Sequence, residues 1–129
     1  MLYTTYISRI KDIPDNARKI IIMRYMPKSL KDPKYSLEWM PELAPNDILL
    51  GNYKRGSIKF PEFVEEFEQY LAYNQVASIA MENIKKDVLD GIDVYLICCE
   101  KNHYECHRRF VKKHICDDIG HQYEGGEMK

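Results

Sequence analysis

Glu100, Cys106, His107 and Arg108 stand close together in the chain, and each carries a group able to do chemistry. A cysteine in the first turn of a helix is favoured as a thiolate, because the free backbone N–H groups there stabilise negative charge. A thiolate is a nucleophile, and a nearby histidine can take its proton. On that chemistry Cys106 is a candidate nucleophile and Glu100 a candidate nucleophile or general base. The same helix start favours a bound anion. Arg108 adds a planar, forked cation matched to phosphate or carboxylate, with His107 beside it. A plainer reading stands next to these. Adjacent helical residues do not face each other, so Cys106 and His107 are not a dyad by proximity in sequence alone. His103, Cys106, His107, Phe110, Val111 and His114 also recur at helical spacing, as a half-buried packing stripe does. Arg108 could equally pair with a local glutamate.

Arg24 is the remaining candidate. It follows the apolar run from Ile20 and precedes Pro27, where a charge needs a partner or a ligand. If the strands before Arg24 and Glu100 are parallel neighbours, both residues come to the same carboxyl edge. There they would form either an ion pair or part of a binding site. Cys99, His103, Cys106 and His107 are soft donors, but no Cys-x-x-Cys knuckle or standard ligand spacing is present, so no metal or cofactor is expected. The chain also lacks a Gly-rich phosphate loop and a Gly-x-Ser-x-Gly elbow.

The elements that must hold these residues read as strands alternating with helices. Leu2–Ser8, Ile20–Met26 and Val94–Cys99 are apolar or β-branched runs. Consecutive Ile20, Ile21 and Ile22 imply burial on both faces, as in a parallel sheet. Prolines 27, 33, 41 and 45 make the intervening stretch a loop with short helical turns, pinned by Tyr35, Leu37, Trp39 and Met40. A short helix opens at Pro45-Asn-Asp-Ile and closes at Gly51. A longer one from Pro61 puts Phe63, Val64, Phe67, Tyr70 and Leu71 on one face. The next, from about Asn74 to Leu89, turns Val76, Ile79, Ala80, Ile84, Val88 and Leu89 inward. The last runs from Asn102, capped in a box with Glu105, to about Cys116. Residues 118–129 read as a frayed tail or a short edge strand after a core of about 2–117. Together these give an α/β fold: a single compact domain with a mainly parallel sheet flanked by helices.

With 129 residues the chain is long enough to bury a core without staples. A net charge of −1 removes any argument from bulk charge for nucleic-acid binding. No apolar run is long enough for a membrane span, and Met1–Ile7 does not read as a secretory signal. The cysteines are bunched and form a poor disulfide framework, so a cytoplasmic location with reduced thiols is expected.

At the chemical cluster the chain resembles the domain of unknown function 488 family. Its signature is an apolar strand, Cys-x-Glu, a short spacer, and Cys-His-Arg opening a helix; Cys98, Glu100, Cys106, His107 and Arg108 stand at those places. His103 stands where the spacer often carries proline. Arg24-Tyr-Met-Pro27, Leu37–Pro45 and Phe63–Tyr70 are similar to the YeaO-like branch, with Asn46 where serine is common. The resemblance covers roughly residues 2 to 117 and implies a compact α/β domain with a pocket at the strand edge. It implies no reaction.

Three functions follow as expectations. The leading one is a domain that binds an anionic small molecule, nucleotide-like, or a nucleic-acid end. In it Arg24, His107 and Arg108 contact the anion, and Glu100 orients an arginine or a ligand hydroxyl. The second is a small enzyme working through Cys106 or Glu100. The third is a protein-interaction module whose motif only holds the fold.

Overall fold

A computed structural model describes residues 1–99 and 106–128. Asn102, its box with Glu105, and Glu100 lie outside those residues, but the last helix starts at Arg108 with His107 as its N-cap, so Cys106 precedes it and does not stand in its first turn as expected. Five strands form one sheet: β1 (Leu2–Tyr6), β2 (Arg18–Ile21), β3 (Glu38–Trp39), β4 (Val94–Cys98) and β5 (Glu124–Glu127). Their order is β3-β2-β4-β1-β5, and every pairing is parallel. The most apolar strand, β4, therefore lies at the centre, as expected of a strand covered on both faces. The helices are α1 (Asp47–Lys54), α2 (Phe60–Tyr73), α3 (Gln75–Leu89) and α4 (Arg108–Ile119).

Side-chain alternation along the strands separates two cores. Leu2, Ile20, Val94, Leu96 and Cys98 face the helical side, with Phe63, Phe67, Leu71, Met81, Ile84, Phe110 and Val111. Ile21, Tyr95 and Ile97 face the other side, under Ile10, Ile13 and Ala17. A 3-10 turn over Ile7–Asp12 helps cover that second face in place of an α-helix.

Three expectations need correcting. The second strand stops at Ile21 rather than Met26. Its ladder runs out there: β4 ends at Cys98, and the short β3 pairs only with Ile20 and Ile21. The short helix does not close at Gly51 but continues to Lys54. Finally, α3 is rotated from the expected face. Ala77, Ala80, Met81, Ile84 and Val88 pack inward, while Val76 and Ile79 remain 60% and 63% exposed and Leu89 is also exposed. The sheet side has room for the small Ala77 and Ala80, and Lys85 on the same stripe reaches Glu82 and Asp118 at 2.9 and 2.8 Å. Of the two readings of the C-terminus, the edge strand is the one that forms: β5 pairs with β1, and Thr5 Oγ1 donates to the Met128 carbonyl at 2.7 Å. Among the described residues, no helix is long and apolar enough to cross a membrane.

Candidate functional site

The carboxyl ends of β2 and β4 lie side by side. Ile21 is level with Ile97, and the Ile22 amide donates to the Ile97 carbonyl at 3.0 Å. Ligand sites of parallel α/β sheets lie in such crevices. Alternation along β4 turns Cys98 to the helical face. Cys106 and His107 return the chain to that edge, with His107 at the N-cap position of α4. The His107 Nδ1 atom stands 3.9 Å from Cys106 Sγ and 4.0 Å from Cys98 Sγ. On the opposite side of the ring, Nε2 donates to the Ile22 carbonyl and lies 3.4 Å from Cys98 Sγ. A carbonyl only accepts, so this bond puts a proton on Nε2. Phe67 meets the imidazole edge-on, with centroids 5.8 Å apart and planes at 86°.

This packing polarises the two thiols in opposite directions. A hydrogen bond from the Cys98 thiol is the largest influence on Cys106 and lowers its pKa to about 4. Burial opposes that shift, while His107 and the Arg108 backbone N–H reinforce it. Burial is the main reason the Cys98 thiol is pushed well above its ordinary value, and the Cys106 charge adds to it. Both shifts favour a negative charge on Cys106 over one on Cys98.

The pair forms the floor of a cavity of about 330 Å³ whose wall includes Arg24, Tyr25, Tyr53, Lys54 and Phe63. Local interactions fix that wall. Trp39 Nε1 donates to the Met23 carbonyl at 2.8 Å, holding the segment after β2. Asn46 caps α1 by accepting from the Leu49 amide at 2.8 Å. Asp47, the next residue, accepts from the Tyr25 hydroxyl at 2.8 Å and sits 3.7 Å from Arg24 Nε. Tyr53 packs against Phe63 with centroids 4.9 Å apart. Lys54 reaches the cavity from the last turn of α1.

Arg24, Cys106 and His107 therefore converge on one concave site. Arg108 does not line it. Its side chain is 0% exposed and grips Glu127, which is 6% exposed, through Nη2–Oε2 at 2.7 Å and Nε–Oε1 at 3.2 Å. Thr4 Oγ1 donates to the same carboxylate at 2.6 Å. Burial alone would lower the arginine's pKa; the bond to Glu127, with the nearby Cys106 thiolate, more than compensates and raises it. Among the described residues its carboxylate partner is Glu127 on β5, nineteen residues away and not local as the plainer reading expects. Glu100 lies outside the described residues. Reading the sequence for chemistry passed over Lys54, Tyr25 and the aromatic wall, because their signal is only the end of a short helix and a loop. It also left Cys98 out of the reactive set, although strand alternation already aimed that thiol away from Cys99.

The fold and this edge define an α/β domain with a cysteine- and histidine-floored pocket at the carboxyl ends of a parallel sheet. The chain matches the family model described as DUF488-N3a, Active DUF488-N3 subclade, over residues 3–118, and it belongs to that DUF488 family. No curated protein and no solved structure matches it.

Proposed function

We propose that the domain binds a small anionic molecule with a planar, nucleotide-like part in this cavity. The observation that carries the reading is the pairing of two cations, Arg24 and Lys54, with the Tyr53–Phe63 rings in one wall. A volume of about 330 Å³ suits a small molecule and not a folded partner. The Arg24–Asp47 contact, at 3.7 Å between partly exposed groups, is weak enough to exchange for a ligand anion. With a net charge of −1 the chain has no bulk attraction for nucleic acid, so a compact ligand is favoured over a strand end. A thermal-shift screen of nucleoside phosphates and phosphorylated metabolites tests this. A stabilising ligand should also slow alkylation of Cys106. Stabilisation without any protection of Cys106 would place the ligand elsewhere.

The lowered Cys106 pKa favours a second reading, in which its thiolate attacks a phosphoryl or acyl ester of the bound ligand, the displaced alkoxide taking a proton from solvent and water then cleaving the thio-linked group from sulfur. Cys106→Ser would then keep binding nearly intact and abolish turnover.

A further inference from the structure

Cys98 and Cys106 are two buried thiols facing one imidazole, and their ligand atoms and that of His107 all lie within 4.8 Å of one another. Packing between apolar side chains does not require that arrangement, and neither does anion binding. Bond lengths of about 2.3 Å to sulfur and about 2.0–2.1 Å to nitrogen, at tetrahedral angles, separate ligand atoms by about 3.6 Å for S···N and about 3.8 Å for S···S. His107 Nδ1 stands 3.9 and 4.0 Å from the two sulfurs, close to those separations, and a turn of the ring, whose Nε2 now lies 3.4 Å from Cys98 Sγ, would direct Nδ1 at both. The tautomer is right as well. Nε2 donates to the Ile22 carbonyl, which leaves Nδ1 of the neutral ring as its coordinating atom. A ligating histidine almost always gives its other N–H to such an acceptor, and that bond fixes the ring. The edge-on contact with Phe67 holds the same orientation.

We infer that Cys98 Sγ, Cys106 Sγ and His107 Nδ1 form a site for a soft divalent cation, Zn²⁺ by its chemistry, supplying three ligands among the described residues. Two thiolates and an imidazole select such ions over hard ones. All three ligands line the same cavity as Arg24 and Lys54. Standard spacing rules miss the site because its donors come from a strand end and a helix start eight or nine positions apart, joined by no Cys-x-x-Cys turn. A bound ion and a free nucleophile exclude each other at Cys106, so the inference displaces the second functional reading. It does not depend on the first.

The test is titration of chelator-treated protein with Co²⁺, followed by Zn²⁺. The expected result is one equivalent of Co²⁺ with tetrahedral visible bands and thiolate charge-transfer bands, both lost on adding Zn²⁺. Cys98→Ser and His107→Ala should each weaken the affinity at least about 100-fold, and Cys116→Ser should bind like the parent. Should a ligand variant fail to fold, the parent protein still decides. Zn²⁺ must shield Cys98 and Cys106 from alkylation while the exposed Cys99 continues to react. An octahedral Co²⁺ spectrum without thiolate bands, unshielded Cys98 and Cys106, or full affinity in Cys98→Ser would overturn the site. Anion binding that depends on Arg24 would survive any of those results.

Discussion

Arg108 on α4 and Glu127 on β5 form a two-bond ion pair that is almost wholly buried, and Thr4 on β1 completes the carboxylate's bonding. The pair ties the C-terminal strand to the helix that starts at the site. It makes the arginine of the Cys-His-Arg signature a structural clasp on the described side of the molecule. Truncating one partner of a buried pair strands the other charge, at a cost of about 3–5 kcal/mol. Arg108→Ala and Glu127→Ala should therefore each lower stability on that scale in urea unfolding, and the double variant should cost clearly less than their sum. Additive losses would show that the two side chains do not act as a unit.

A second consequence of this clasp lies at Gly125. A Cβ built there falls 2.4 Å from Tyr3 Cδ1, and that ring is stacked on Tyr95 at 4.7 Å. Tyr3 cannot yield without leaving the stack. Gly125→Ala should destabilise by about 1–3 kcal/mol, the usual cost of overpacking, and should speed amide exchange in β5 before β4. An unchanged melting temperature would mean that β5 shifts freely.

The sequence makes the central strands readable and the edges much less so. β1, β2 and β4 announce themselves as apolar runs, because strands inside a parallel sheet are buried on both faces. β3 is two exposed residues, and β5 reads Glu-Gly-Gly-Glu, so neither carries a hydrophobic pattern. The face of α3 was misjudged for a related reason. Val76 and Ile79 are apolar enough to look inward, but the tight packing of α3 selects the small residues Ala77 and Ala80. At the cavity, residue type and strand ends mark Cys106, His107 and Arg24, which line it together. The partner of Arg108 is not so marked, since Glu127 lies nineteen residues further on and only sheet pairing brings it back.

The thiol pair predicts an unusual pH dependence. An ordinary cysteine titrates near 8.5 and loses alkylation rate about tenfold per pH unit below that. Cys106 is held at about 4 by the Cys98 thiol and His107, so lowering the pH leaves it a thiolate until that value is reached. In chelator-treated protein its iodoacetamide rate should stay level from pH 8 to about pH 5. The sign also fixes the stability effect: a depressed pKa contributes stability that is present above the unfolded value and lost as pH falls through about 4. Cys98→Ala removes the main donor to the thiolate and should move the inflection upward. A Cys106 rate that falls from pH 8 downward in the native protein would contradict the placement of the charge on Cys106.

Asn46 sets one rim of the cavity, because it caps α1 just before Asp47, the residue that meets Arg24 and Tyr25. Asn46→Ala should cost about 1 kcal/mol of stability through the lost cap. Ligand affinity should fall as well, since the wall carrying Lys54 is the same helix. Loss of stability with wild-type affinity would separate the helix from the site.

The most direct measurement is calorimetric titration of a nucleoside monophosphate into the parent protein, Arg24→Ala, Lys54→Ala and the double variant. Each cation is worth about 1.5–3 kcal/mol as a charged hydrogen bond. Each single variant should therefore bind at least about tenfold more weakly, and the double variant should show no measurable heat. Arg108→Lys, where it stays folded, should bind like the parent, because Arg108 is turned to Glu127 and not to the cavity. Parent-like affinity in the double variant, or no binding by the parent to any nucleoside phosphate, would contradict the account.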